Sequence, residues 1–175
     1  MRAKRVVCGA VLALALAAGA GGCKVRRRSE TASPQRFRTV VAMSDPRAAG
    51  QLVSGFHEVE AGAWRWTERQ FAILLARPAQ ADQRGATLMV KLTVPPPSIE
   101  KLKSIQLRAT VNGSAVAPET YTAPGDYVYR RVLAPGMLAA DPVRVDFSLD
   151  KAIPPGNPDL RELGVVVLAI GLEPR

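Results

Sequence analysis

The sequence predicts an all-β fold, an antiparallel β-sandwich of about eight strands, jelly-roll-like or immunoglobulin-like. Three observations carry that expectation. Apolar residues alternate with polar ones over several stretches, the signature of half-buried strands. Turn-forming dipeptides separate those stretches at short intervals. No segment sustains a period near 3.6, as an amphipathic helix would.

In chain order, FRTVVAM (37–43) is the first strand candidate. QFAILLA (70–76) follows. In ATLMVKLTV (86–94), Leu88, Val90, Leu92 and Val94 alternate with Met89, Lys91 and Thr93. Pro95-Pro96-Pro97 ends that strand, since proline cannot donate to a ladder. A short helical turn is expected near 98–103. SIQLRATV (104–111) turns Ile105, Leu107, Ala109 and Val111 inward, and Asn112-Gly113 after it marks a hairpin, because both central residues of that turn take positive φ. A second helical turn is expected near 135–139. PVRVDFSLD (142–150) alternates most cleanly, and GVVVLAIGL (164–172) is apolar on both sides, as a strand covered on both faces would be. Pro124-Gly125, Pro135-Gly136 and Pro155-Gly156 supply further turns.

The chain opens MRAKR, then VVCGAVLALALAAGA, then GGCK. A basic start, a short apolar middle and small residues before a cut describe a secretory signal over 1–22. The run from Val6 to Gly22 falls short of the about 20 apolar residues a spanning helix needs. Ala20-Gly21-Gly22-Cys23 resembles a bacterial lipobox, which implies acylation of Cys23; Ala20 stands where that pattern prefers leucine. Ordinary cleavage after Ala20 is the alternative and would leave Cys23 a free thiol. By the same resemblance, Lys24 after the cysteine, where an aspartate is lacking, points to the periplasmic face of an outer membrane. Residues 23–38 then read as a lipidated cysteine and basic tether, and 39–175 as one domain.

The formal net charge is +9, but its distribution excludes a nucleic-acid-binding face. After position 38 the chain carries 15 basic and 14 acidic residues, so the excess lies beside the anchor. KVRRR (24–28) reads as a tether drawn to an anionic membrane, or as a plain soluble linker. The domain contains no cysteine and one histidine, His57. That rules out disulfides and thiolate zinc and leaves metal sites poorly supplied, so no cofactor or metal is expected. No glycine-rich phosphate loop or serine elbow appears.

In AWRWT, strand alternation places Trp64 and Trp66 on one face and Arg65 on the other. The pair is either core and edge packing or a platform on which a sugar ring stacks. Alternation likewise puts Glu58 and Glu60 on one face, opposite His57 and Val59. Two carboxylates on one face can hydrolyse a glycosidic bond when about 5–10 Å apart. The competing reading is a solvated face, or partners for a nearby arginine.

GFHEVEAGAWRWT, the Asn112-Gly113 turn, and Asp159, Arg161, Leu163 and Gly164 leading into the last strand together resemble a bacterial β-sandwich domain. That domain accompanies cell-surface polysaccharide glycosyltransferases and methyltransferases, also occurs alone, and has no assigned activity. The resemblance spans roughly residues 54–174 and carries over Gly55, Glu60, Arg65, Trp66, Thr67, Asn112, Gly113, Asp159, Arg161, Leu163 and Gly164. It implies that RWT and D-x-R-x-L-G meet in space, with Arg161 pairing Glu58 or Glu60 over Trp66.

The expected protein is therefore a membrane-anchored, non-catalytic envelope lipoprotein that binds glycan or an envelope partner. A structural accessory docking on an envelope protein complex is the alternative, and a glycoside hydrolase a third. The candidate ligand or lock residues are Glu58, Glu60, Trp64, Arg65, Trp66, Asp159 and Arg161, with Cys23 as the lipidation site.

Overall fold

Alternation places the same side chains inside that it selects on paper. Ile105, Leu107 and Val111, Leu88, Val90, Leu92 and Val94, and Val143, Val145, Phe147 and Leu149 all lie in one buried cluster. The computed structural model describes residues 36–175. The expected signal peptide (1–22), Cys23 and most of the tether lie outside the described residues.

Among the described residues nine strands form, and every pairing among them is antiparallel. They are β1 (Val40–Ala42), β2 (Leu52–Glu60), β3 (Trp64–Leu75), β4 (Ala86–Val94), β5 (Ile105–Val111), β6 (Ser114–Tyr121), β7 (Gly125–Leu133), β8 (Val143–Leu149) and β9 (Val166–Pro174). Two short helices, α1 (Ala81–Arg84) and α2 (Pro96–Leu102), and two 3-10 turns, Pro46–Gln51 and Pro135–Leu138, fill the connections. The fold is thus mostly antiparallel sheet, bent into a nearly closed, sandwich-like layer pair around one core. Arg38 already belongs to it: its carbonyl accepts from Ala76 N at 2.9 Å and its N–H donates to Gln51 Oε1 at 2.9 Å.

The strand order is β6-β5-β8-β3-β9-β4-β7, with β1 added to β9 and β2 to β3. β3 joins the two halves. Its first residues, Arg65 and Trp66, pair with β9, and residues 70–75 pair with β8. Gly55 of β2 lies against the start of the β8-paired stretch with φ +73°, and a Cβ there would sit 1.9 Å from the Gln70 carbonyl oxygen. Only glycine fits both constraints.

Two hairpins turn through residue pairs with positive φ: Ala61-Gly62 (50° and 63°) between β2 and β3, and Asn112-Gly113 (47° and 82°) between β5 and β6. β9 is central, flanked by β4 on one edge and by β3 and β1 on the other. Its cover is incomplete: Leu168 is 38% exposed.

The far ends of the sheet, β6 and β7, face each other without a ladder. Pro118 removes one β6 donor. Side chains of β7 bridge the gap instead. The Tyr129 hydroxyl donates to Ala117 O at 2.8 Å, and Arg131 donates to Ala117 O at 2.6 Å, to Pro118 O at 2.8 Å and to the Glu119 carboxylate at 2.9 Å. The Arg131 guanidinium lies 4.1 Å above the Tyr129 ring.

Candidate functional site

RWT and D-x-R-x-L-G are bonded neighbours. Thr67 N donates to Val165 O at 2.9 Å, and Gly164 N donates to Thr67 O at 2.7 Å. The fully buried Thr67 hydroxyl oxygen accepts from Val165 N at 3.2 Å. Gly164 has to be small here: a Cβ would come within 2.6 Å of both Thr67 Oγ1 and Leu149 Cδ1.

The connection from β8 to β9 forms a small tongue. Ile153 and Leu163 pin its base with reciprocal backbone bonds of 2.8 and 2.9 Å, and Gly156 N donates to Asp159 O at 2.8 Å near its tip. Two further bonds hold it against the β2–β3 hairpin. His57 Nε2 donates to Glu162 O at 2.7 Å, and Arg69 N donates to the Glu162 carboxylate at 2.9 Å.

On this tongue Arg161 grips two carboxylates. Its Nε and Nη2 donate to the two oxygens of Asp159 at 3.0 and 2.8 Å, and its Nη1 donates to Glu60 Oε1 at 2.6 Å. Arg161 N adds a fourth bond, to Asp159 Oδ1 at 3.0 Å. The side chains of Arg161 and Glu60 are 37% and 33% exposed, so this is a surface-grade cluster rather than a buried one. Hydrogen bonds from the Arg161 side chain and backbone hold the Asp159 carboxyl well below the usual range, to about 2. The hydrogen bonds that Arg161 donates to Asp159, and then to Glu60, push its own pKa up in turn.

Beside the cluster lies a groove of about 440 Å³. Half-buried Trp66 of β3 forms one wall, Pro97 and Lys101 of α2 another, and the tongue supplies Asn157, Pro158, Asp159 and Arg161. The proline run that ends β4 therefore starts the helix that shapes this wall, as proline is well suited to a helix's first turn.

The other sequence-selected residues point elsewhere. Trp64 is half-buried, pairs in register with Glu60 and does not line the groove. Arg65 is a framework residue: Nε donates to Met43 O at 3.1 Å and Nη1 to His57 O at 2.8 Å. Glu58 lines a separate hollow of about 300 Å³ with Phe56 and Arg65. The expected shared face of Glu58 and Glu60 is therefore corrected. Phe56 pairs with Thr67 but Val59 with Arg65, so β2 carries one extra residue between them. That bulge reverses the phase and turns His57 and Glu60 toward the tongue and Glu58 away from it.

Sequence reasoning did not select Lys101 or Asn157. No local pattern marks them, because three segments distant in sequence build the groove. A shallower depression of about 370 Å³ lies on the outer face of β5, β8 and β3. Its charged row is partly self-paired, with Arg144 donating to Asp146 at 2.7 Å.

No family model matches the chain, and no curated protein matches it in sequence. Among solved structures, an acetyl xylan esterase from the rumen bacterium Butyrivibrio proteoclasticus is similar over 79% of this chain, at 10% identity and a TM-score of 0.46. The matched region spans 32% of the esterase chain.

Proposed function

We propose that this chain is a non-catalytic, glycan-binding β-sandwich module, lipid-anchored through Cys23 in a bacterial envelope, and that the Trp66 groove is its site. One observation carries the reading: a half-buried tryptophan forms the wall of a groove whose other walls hold cationic and amide donors. An indole face accepts the C–H side of a pyranose ring, and a few placed polar groups fix its hydroxyls. The anchor rests on the sequence, MRAKR followed by the apolar run and GGC.

The carboxylates support binding over hydrolysis. A general acid at neutral pH needs a raised pKa. Asp159 has the opposite shift, and both its oxygens face Arg161. Glu58 lines the hollow beside Phe56 and Arg65, while Glu60 is engaged by Arg161 on the tongue's side, so the two do not flank one bond.

The test compares two tryptophans. Trp66→Ala should abolish retention on a glycan array, while Trp64→Ala, outside the groove, should retain it. Equal retention by both variants would overturn the proposal.

A further inference from the structure

We infer that the groove selects sugars bearing an anionic substituent, and that Lys101 is the residue that reads the charge. The inference rests on the glycan-binding reading of the groove. It follows from which polar groups around Trp66 are already engaged.

Arginine has five N–H donors in a fixed fork. Three of those of Arg161 already bond Asp159 and Glu60. Asp159 is equally occupied, with one oxygen taking two bonds and the other one. The acids and the arginine thus satisfy each other, and this part of the wall offers an incoming sugar no free carboxylate and little free charge. Lys101 differs. It sits in the last turn of α2, is exposed, and lines the groove. Among the described residues it makes no ion pair and no hydrogen bond to a protein group. It is the one cation at the groove whose three donors are unengaged.

An ammonium on a four-carbon stem is a compact charge that does not demand a planar, bidentate partner. It suits a carboxylate or phosphate projecting from a ring that is stacked on Trp66. A neutral sugar in the same place offers the ammonium only hydroxyl oxygens, which replace its water about evenly, whereas an anionic oxygen is a markedly stronger acceptor. Asn157, on the facing wall, can donate to ring hydroxyls of either kind. The anionic group and the stacked ring therefore act separately: Trp66 supplies affinity for sugars in general, and Lys101 the preference among them.

The experiment uses the full chain and an array of matched oligosaccharides. Galacturonate oligomers are set against their methyl esters, glucuronate-containing chains against their glucose counterparts, and phosphorylated hexoses against the plain sugars. The acidic members should bind about tenfold more tightly, the equivalent of about 1.4 kcal/mol. Lys101→Met should erase that preference while leaving binding of the neutral members unchanged. Lys91→Met, on a strand outside the groove, should preserve it. Raising the salt should weaken the acidic members alone. Whether carboxylates or phosphates gain more identifies the substituent. Equal affinity for acidic and neutral members, or a preference that survives in Lys101→Met, overturns the inference and leaves the Trp66 reading standing. Failure to bind any member, with no difference between wild type and Trp66→Ala, overturns both.

Discussion

The same chemical change at two glycines should move stability in opposite directions. Neither Gly164 nor Gly136 adopts positive φ, so an alanine is sterically allowed by the backbone at both. Where nothing else intervenes, Gly→Ala stabilises by about 0.4–1 kcal/mol, because the unfolded chain loses freedom. At Gly136 a new Cβ meets nothing within 4 Å. At Gly164 it would lie 2.6 Å from Leu149 Cδ1, 2.6 Å from Thr67 Oγ1 and 2.8 Å from Glu68 O. None of the three can yield easily. Leu149 is core, Glu68 O is backbone, and Thr67 Oγ1 accepts the Val165 N–H. Overpacking of this kind costs about 1–3 kcal/mol, and displacing the Thr67 hydroxyl adds about 0.5–1.5 kcal/mol. Gly164→Ala should therefore lose about 0.5–4 kcal/mol net, and Gly136→Ala should gain up to about 1 kcal/mol. Equilibrium urea unfolding reads both as midpoint shifts at constant slope. If the two variants shift the same way, the junction of RWT with the last strand is not close-packed and the reasoning fails.

The Arg161–Glu60 pair should behave as a surface interaction: Arg161→Ala and Glu60→Ala each cost about 0–1 kcal/mol, and a double-mutant cycle gives a coupling within that range; losses of about 3–5 kcal/mol would mean a buried charge had been stranded. Asp159 titrates in the fold at about 2 against an ordinary value of 3.8, so its stabilising contribution is complete above about pH 4 and is lost as pH falls toward 2. Carbon-detected NMR of the carboxyl should show this, and a midpoint at or above 3.8 would contradict the Arg161 grip. Tyr121 and Tyr129 should part company on losing their hydroxyls. Tyr121 Oη is buried without a partner, so Tyr121→Phe should hold or raise the melting temperature; Tyr129→Phe breaks a bond to Ala117 O and should cost about 0.5–1.5 kcal/mol.

What the sequence disclosed depended on whether a strand obeyed a simple period. β4, β5 and β8 have one face in the core and no irregularity of their own near the alternating run, and Asn112-Gly113 has the chemistry its turn requires. β6 and β7 were harder to read. Ser-Ala-Val-Ala-Pro-Glu-Thr at the sheet's end has little apolar contrast, and the proline in it argues against a strand until an edge position is known. β2 and β3 misled in a specific way. Alternation holds from Phe56 to His57, but the bulge before Val59 breaks the phase, so Glu58 and Glu60 part. The resemblance found Arg161 and Glu60 because both lie in quotable motifs. Lys101 lay in no motif, and only the folded chain brings α2 to Trp66.

The seam between β6 and β7 bears on how the ends of the sheet meet a second copy of the chain. A sheet that ends in two unpaired edges invites a neighbour's strand. Here Pro118 offers that neighbour no N–H, and the carbonyls of Ala117 and Pro118 are already taken by Tyr129 and Arg131. A foreign strand pairing at these two positions would have to expel a guanidinium from its stack on Tyr129. The clasp thus blunts this part of the edge against strand addition.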